Sequence, residues 1–216
     1  SCNYHATSMD LSCLSETLHT LYCKGSSCKI NQMDISKLQL KKLDCSYNKE
    51  IYDLNHMSST LEELTCVSKI CGINQEGIKN LKKLRFLCCD CNANIKDVNH
   101  LKETLKELHC EGNNGIDQYG ISQLLLLEKL YCYNNGEINN VNHLADSLEE
   151  LECSNYSGIN QDGISLLKKL KILYCGGNMC ITNLDHLSLT LEKIIWSSRY
   201  EINMDGYPNL RYFVVL

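Results

Sequence analysis

The sequence predicts a repeat solenoid, a ladder of about ten short strands joined by two alternating kinds of return. Three observations lead there. A phrase L-x-x-L-x-C recurs along the chain and is clearest at Leu127–Cys132 and Leu148–Cys153. Nine cysteines, Cys2, Cys23, Cys45, Cys66, Cys89, Cys110, Cys132, Cys153 and Cys175, occupy one slot of that phrase at intervals of 21 to 23 residues. The segments after the cysteines alternate between two patterns, so the full period is a double unit of 43 residues.

Each strand is predicted from the alternation at L-x-C, the period-2 signature of a strand with one buried face. In order, the phrases end at Cys23, Cys45, Cys66, Cys89, Cys110, Cys132, Cys153, Cys175, Trp196 and Val215. At about 4.8 Å per strand they make a ladder about 50 Å long. One return type runs through Ile51…Leu54-Asn-His56-Met57, Ile95…Val98-Asn-His100-Leu101, Ile138…Val141-Asn-His143-Leu144 and Ile181…Leu184-Asp-His186-Leu187. Apolar residues three apart there suit an extended or 3₁₀-like path. The other type, Ile73-Asn-Gln-Glu-Gly77-Ile78, Ile116-Asp-Gln-Tyr-Gly120-Ile121 and Ile159-Asn-Gln-Asp-Gly163-Ile164, predicts a turn opening a short helix. No half-repeat buries a core alone, so neighbours must stack. The whole of 1–216 is expected to form one domain of about ten repeats. It starts in mid-repeat and stops at an apolar strand ending Phe213-Val-Val-Leu216.

Composition bounds the function. The 216 residues are 44% hydrophobic and 22% charged, ordinary values for a folded chain. A net charge of −5 predicts no nucleic-acid partner, since such binders carry a basic stripe. No apolar run approaches membrane-spanning length, so no membrane partner is expected. Fifteen cysteines suggest a disulfide framework, but pairing has no reason to keep a fixed interval, and Trp196 fills the slot 21 residues after Cys175. These cysteines are read as small buried hydrophobes with free thiols, which implies a reducing, cytoplasmic setting.

The pattern resembles the leucine-rich-repeat family, whose unit reads L-x-x-L-x-L/C-x-x-N-x-I-x-x-L, over essentially the whole chain. The first return type is similar to the short SDS22-like class, and the second to the I-T-D-x-G-L-x-x-L segment of cysteine-containing repeats. The cysteine-slotted, asparagine-rich style also resembles repeats of giant DNA viruses and some protists, which implies the host cytoplasm for a viral chain. The resemblance implies an α/β solenoid, a horseshoe or arc. A parallel β-sheet lines its concave face and 3₁₀, helical or extended returns form its convex face. It also implies that a protein partner binds on the concave face. The family's Asn after the strand stands at Asn48, Asn92, Asn113, Asn135 and Asn178. Lys69, Tyr156 and Arg199 replace it elsewhere, so its hydrogen-bonded ladder is expected to break in alternate turns.

Residues flanking the second Leu of each phrase point away from the core. One exposed column is Tyr22, Asp44, Thr65, Cys88, His109, Tyr131, Glu152, Tyr174 and Ile195; a second contains Glu111 and Tyr133. The candidate partner-binding residues are Tyr22, Asp44, His109, Glu111, Tyr131, Tyr133, Glu152 and Tyr174, with Tyr131, Tyr133 and Tyr174 as anchors. Glu107, Glu111 and Glu152 favour a basic partner. A third column alternates in sign, Lys42 with Glu63 and Glu107 with Lys129 and Glu150, and reads as a register aid.

Cys88, Cys91 and His109 are zinc-ligand types, with Asp90 or Glu111 to complete four-coordination, but a flat sheet face rarely closes a tetrahedron and no metal or other cofactor is assigned. His56, His100, His143 and His186 form a file two repeats apart, too far for shared ligation, and read as a repeated surface or capping role. No G-x-S-x-G and no phosphate-cradling glycine loop is present, so the chain is not read as an enzyme. The function expected is protein binding. The alternatives are self-assembly through the N- or C-terminal edge as a homo-oligomer, and the recognition part of a ubiquitin ligase.

Overall fold

The computed structural model describes residues 11–197 and 206–215. Slot residue Cys2 and Arg199 lie outside them. Ten strands form one parallel sheet in chain order: β1 (Thr20–Tyr22), β2 (Lys42–Asp44), β3 (Glu63–Thr65), β4 (Phe86–Cys88), β5 (Glu107–His109), β6 (Lys129–Tyr131), β7 (Glu150–Glu152), β8 (Ile172–Gly176), β9 (Lys193–Ser197) and β10 (Tyr212–Val215). Each pair keeps the register read from the phrases, for example Leu108↔Leu130↔Leu151. The predicted solenoid arc with a parallel sheet is the observed fold.

The core sits between this sheet and the returns. The central leucines Leu43, Leu64, Leu87, Leu108, Leu130, Leu151 and Leu173 are buried, and so are the slot cysteines from Cys23 to Cys175. All the described cysteines are free thiols. The slot amides of Cys45, Cys89 and Cys132 donate to the carbonyls of Thr65, His109 and Glu152 in the next repeat. The thiols point the same way: Sγ lies 3.7 Å from Thr65 O, 3.4 Å from His109 O and 3.2 Å from Glu152 O. Burial pushes the Cys89 and Cys132 thiols up to about 12, so they stay protonated and inert.

Two residues past each slot cysteine from Cys23 to Cys175 the chain turns off the sheet through the left-handed region. Gly25, Gly112 and Gly177 hold this position in three repeats, and Tyr47, Ser68, Cys91, Asn134 and Asn155 hold it in the others with φ from 55° to 97°. Next comes the asparagine ladder. Asn48, Asn92, Asn135 and Asn178 are buried, and each Nδ2 donates to two carbonyls of the preceding repeat. Each Oδ1 accepts the amide two residues on.

One expectation needs correcting. Asn113 is exposed, and Asn114 makes the buried bond to the Cys89 carbonyl. Six residues separate slot from isoleucine in both turns, Cys89 to Ile95 and Cys110 to Ile116, but the side chain turned inward is the third after the slot at Asn92 and the fourth at Asn114. In the other alternate turns the ladder is not empty. Cys71 Sγ donates to the Cys45 carbonyl at 3.5 Å, and Ser157 Oγ accepts the Ile159 amide at 3.5 Å.

The returns match the two predicted types. The first type ends in 3₁₀ turns, Asn55–Met57, Asn99–Leu101, Asn142–Leu144 and Asp185–Leu187. The second gives single helical turns α1 (Gln32–Ile35), α2 (Gln75–Ile78) and α3 (Gln161–Ile164), capped by Asn31, Asn74 and Asn160. At the equivalent place Tyr119–Ile121 is 3₁₀. The Gln of the motif staples each such return to the next: Gln118 Oε1 accepts the amides of Asn139 and Asn140, and Nε2 donates to Asn140 O. Gln32, Gln75 and Gln161 repeat this pattern.

The histidine file staples in the opposite direction. Nε2 of His56, His100, His143 and His186 lies 3.0 to 3.1 Å from the carbonyls of Ile35, Ile78, Ile121 and Ile164. A carbonyl only accepts, so Nε2 carries the proton in each. Burial lowers the pKa of His100 and His143 below 6.5, against the pull of those carbonyls. The folded state therefore favours neutral imidazole, and the unfolded chain takes up the proton first as pH falls. Stability from these residues is present above pH 6.5 and is lost as pH drops from there to the lowered folded value. In urea melts, the fall in midpoint between pH 7 and pH 5 should be smaller for His100→Gln/His143→Gln, whose amides keep the donor without the charge. Glu111 and Glu152, raised above 4.5 chiefly by burial, act in the opposite sense and are common to both proteins. An identical pH dependence in variant and parent would refute the assignment.

Candidate binding face of the sheet

The exposed sheet face is set by strand alternation, and the register assembles its columns. His109 pairs with Tyr131, Tyr131 with Glu152, and Glu152 with Tyr174. His109 stacks on Tyr131 with ring centroids 4.1 Å apart and planes at 16°. Phe86, on β4, approaches the other side of the imidazole at 5.3 Å and 52°. An aromatic row thus runs over Phe86, His109 and Tyr131 and resumes at Tyr174 beyond Glu152.

Charges hold this row. Glu107 Oε1 sits 2.8 Å from His109 Nε2, and Lys129 Nζ lies 3.3 Å from Glu107 and 3.9 Å from Glu150. With Lys42–Glu63 at 2.5 Å, the third column is charge-paired as read from the sequence. Burial, then the adjacent Glu150 carboxylate, pushes the Tyr131 phenol well above its usual range, so it remains a neutral donor. Lys193 Nζ is 3.1 Å from Tyr174 Oη, 4.8 Å from the Tyr174 ring centre and 5.0 Å from that of Tyr212.

The second column lies one step along the strands. Glu111 stands beside Asp90, whose Oδ1 accepts the Glu111 amide at 2.8 Å. Tyr133 Oη accepts from Asn155 Nδ2 at 2.8 Å and remains exposed. Glu152 Oε1 accepts the Ser154 amide at 3.1 Å. Burial raises the Glu111 carboxyl, helped by the Asp90 charge, and burial raises that of Glu152. No cation pairs with either of them among the described ion pairs.

The structure thus gathers His109, Glu111, Tyr131, Tyr133, Glu152 and Tyr174 over β5 to β8. Tyr22 and Asp44 do not join them. They pair with each other on β1 and β2, about 19 Å and 14 Å from β5 at the usual strand spacing. Asp44 Oδ1 accepts the Ser46 amide at 3.1 Å, a local turn contact. Sequence reasoning missed Phe86, Lys193 and Tyr212. Their signal was present, since all three occupy the charge-alternating column. There, reading the column for sign hid its aromatic members.

Of the zinc-type residues, Cys88, Asp90 and His109 offer ligand atoms within 4.8 Å of one another. Cys91 is not among them. At φ 55° it has already turned off the sheet, and its sulfur lies beside Gly112, the same turn position one repeat on.

No family model matches the sequence, and no curated protein matches it. Solved structures do. An internalin, InlF, of Listeria monocytogenes superposes with a TM-score of 0.63 at 17% identity, covering 94% of this chain and 63% of that one. The functional domain of InlJ from Listeria monocytogenes, which includes a cysteine ladder, gives 0.50 at 23% identity over 93% of this chain and 54% of that one. The chain thus spans between half and two-thirds of each. The registered parallel strands and these likenesses together give the conclusion: the chain has the leucine-rich-repeat fold.

Proposed function

We propose that this chain is a protein-binding module whose partner docks on the exposed, concave face of the sheet over β5 to β8, presenting basic and aromatic side chains. The observation that carries this reading is the contact of aromatic anchors with unneutralised acid: His109, Tyr131 and Tyr174 flanked by Glu111 and Glu152. Aromatic groups with a polar tip bury area at low entropic cost, and half-buried carboxylates without a cation gain most from a partner's Lys or Arg. The chain acts by binding rather than by chemistry. Buried, protonated slot thiols suit a reducing compartment such as the cytoplasm. Among the described residues no helix is long and apolar enough to cross a membrane.

A displayed random-peptide library selected on the immobilised chain tests this. Enriched peptides should carry Lys or Arg next to aromatic residues. Their affinity should fall about 30-fold or more in Tyr131→Ala/Tyr174→Ala, the loss of about 2 kcal/mol expected of a central anchor. A variant of the exposed returns, Tyr119→Ala with Tyr156→Ala, should bind as the parent does. Peptides lost from the return variant and kept by the sheet variant would move the site to the convex side.

A further inference from the structure

We propose that Cys88, Asp90 and His109 form a binding site for a borderline-soft divalent cation, with zinc the best match to this donor set. The inference is independent of the protein-binding reading. The three residues come from two adjacent strands and the turn after the first. Cys88 on β4 is the register partner of His109 on β5, and Asp90 lies two residues on, along the same face. Thiolate, carboxylate and imidazole are the ligand types such an ion takes, at about 2.0–2.3 Å each. Cys88 Sγ is already 3.2 Å from Asp90 Oδ2. A tetrahedral ion needs ligand atoms about 3.3–3.8 Å apart. The three ligand atoms lie within 4.8 Å of one another, about an ångström wider than that spacing at most.

The residues around these three hold them as the outer shell of a metal site does. Glu107 Oε1 faces His109 Nε2 at 2.8 Å. A carboxylate accepts only, so Nε2 carries a proton and Nδ1 is the nitrogen whose lone pair an ion would take from the neutral ring. This is the carboxylate–histidine arrangement that orients an imidazole toward a metal. Tyr131 stacks on the ring and fixes its plane. Asp90 is held in the same manner: its Oδ1 takes the Glu111 amide at 2.8 Å, which leaves Oδ2 toward Cys88. Two of the three ligands are therefore positioned by a second residue, on strands that fix the spacing. On binding, the Cys88 thiol loses its proton to solvent and the thiolate donates to the ion. Water takes the fourth position on the open side of the sheet.

Cobalt(II) chloride titrated into the reduced chain gives a direct readout, because a thiolate-bound, tetrahedral Co²⁺ absorbs through sulfur-to-metal charge transfer and intense d–d bands. One equivalent should produce both, and Zn²⁺ should bleach them. Cys88→Ser should abolish the charge-transfer band, and His109→Gln should abolish tight binding. Glu107→Gln should weaken binding about 10- to 100-fold, as loss of an orienting partner does. Cys91→Ser should titrate as the parent. Circular dichroism confirms that each variant is folded; if Cys88→Ser is not, His109→Gln decides. No charge-transfer band in the parent, a band that survives Cys88→Ser or His109→Gln, or a band lost in Cys91→Ser would overturn the proposal.

Discussion

Asn135→Ala should destabilise the chain by about 4 kcal/mol, read as a lower urea midpoint, while Asn113→Ala should stay within about 0.5 kcal/mol of the parent. Asn135 is buried, and its Nδ2 donates to Cys110 O and Ile116 O at 3.1 Å each while its Oδ1 accepts the Glu137 amide at 3.0 Å. Alanine leaves two carbonyls and one amide without partners in a closed turn. Each such orphan costs about 1–3 kcal/mol. The effect propagates because each repeat touches only its neighbours, so loosening one turn weakens the stack on both sides. Asn113 occupies the nominal family position yet is exposed. A cost near 4 kcal/mol at Asn113, or below about 1 kcal/mol at Asn135, would show that the ladder does not run through these side chains.

Gly120→Ala is expected to cost about 3 kcal/mol, whereas Gly136→Ala should be neutral within about 0.5 kcal/mol. The difference is not one of backbone angle, since neither residue is in the left-handed region. A Cβ on Gly120 would overlap the Lys96 carbonyl oxygen of the neighbouring return, and backbone cannot swing aside as a side-chain tip can. Separating the two returns also stretches the Val98 amide to Gly120 carbonyl bond, now 3.0 Å, and the bond from Asn99 Nδ2 to the Tyr119 carbonyl beside it. Gly77 and Gly163 meet Tyr52 O and Asn139 O in the same way. At Gly136 the nearest atom to an added Cβ is 3.7 Å away, an ordinary contact. Thermal melts of the two variants side by side would settle it. Equal midpoints would mean that the returns are looser than their hydrogen bonds require.

Much of this could be read from the chain because a repeat fold writes its packing into the period. A leucine or cysteine recurring every 21 to 23 residues has one stable place, a stacked core column, and the observed register follows from it. The exposed columns were legible for the same reason, as alternation on a strand leaves the side chain no other face. Functional residues within the returns were harder to read. The Gln and Gly of I-N-Q-x-G looked like turn chemistry. Their work is done against a neighbouring return 21 or 22 residues away, as Gln118 shows with Asn140.

What the sequence determined by itself was the solenoid, its strands and which side chains leave the core, because local periodicity and burial decide those. Tertiary structure alone decided three things. It put Asn114 rather than Asn113 into the ladder, because the backbone of that turn brings the fourth residue after the slot inward instead of the third. It removed Cys91 from the sheet face, because the chain passes through φ 55° there. It also separated Tyr22 and Asp44 from the cluster on β5 to β8 and brought Phe86, Glu107 and Asp90 around His109, because contact across strands depends on register distance and side-chain reach.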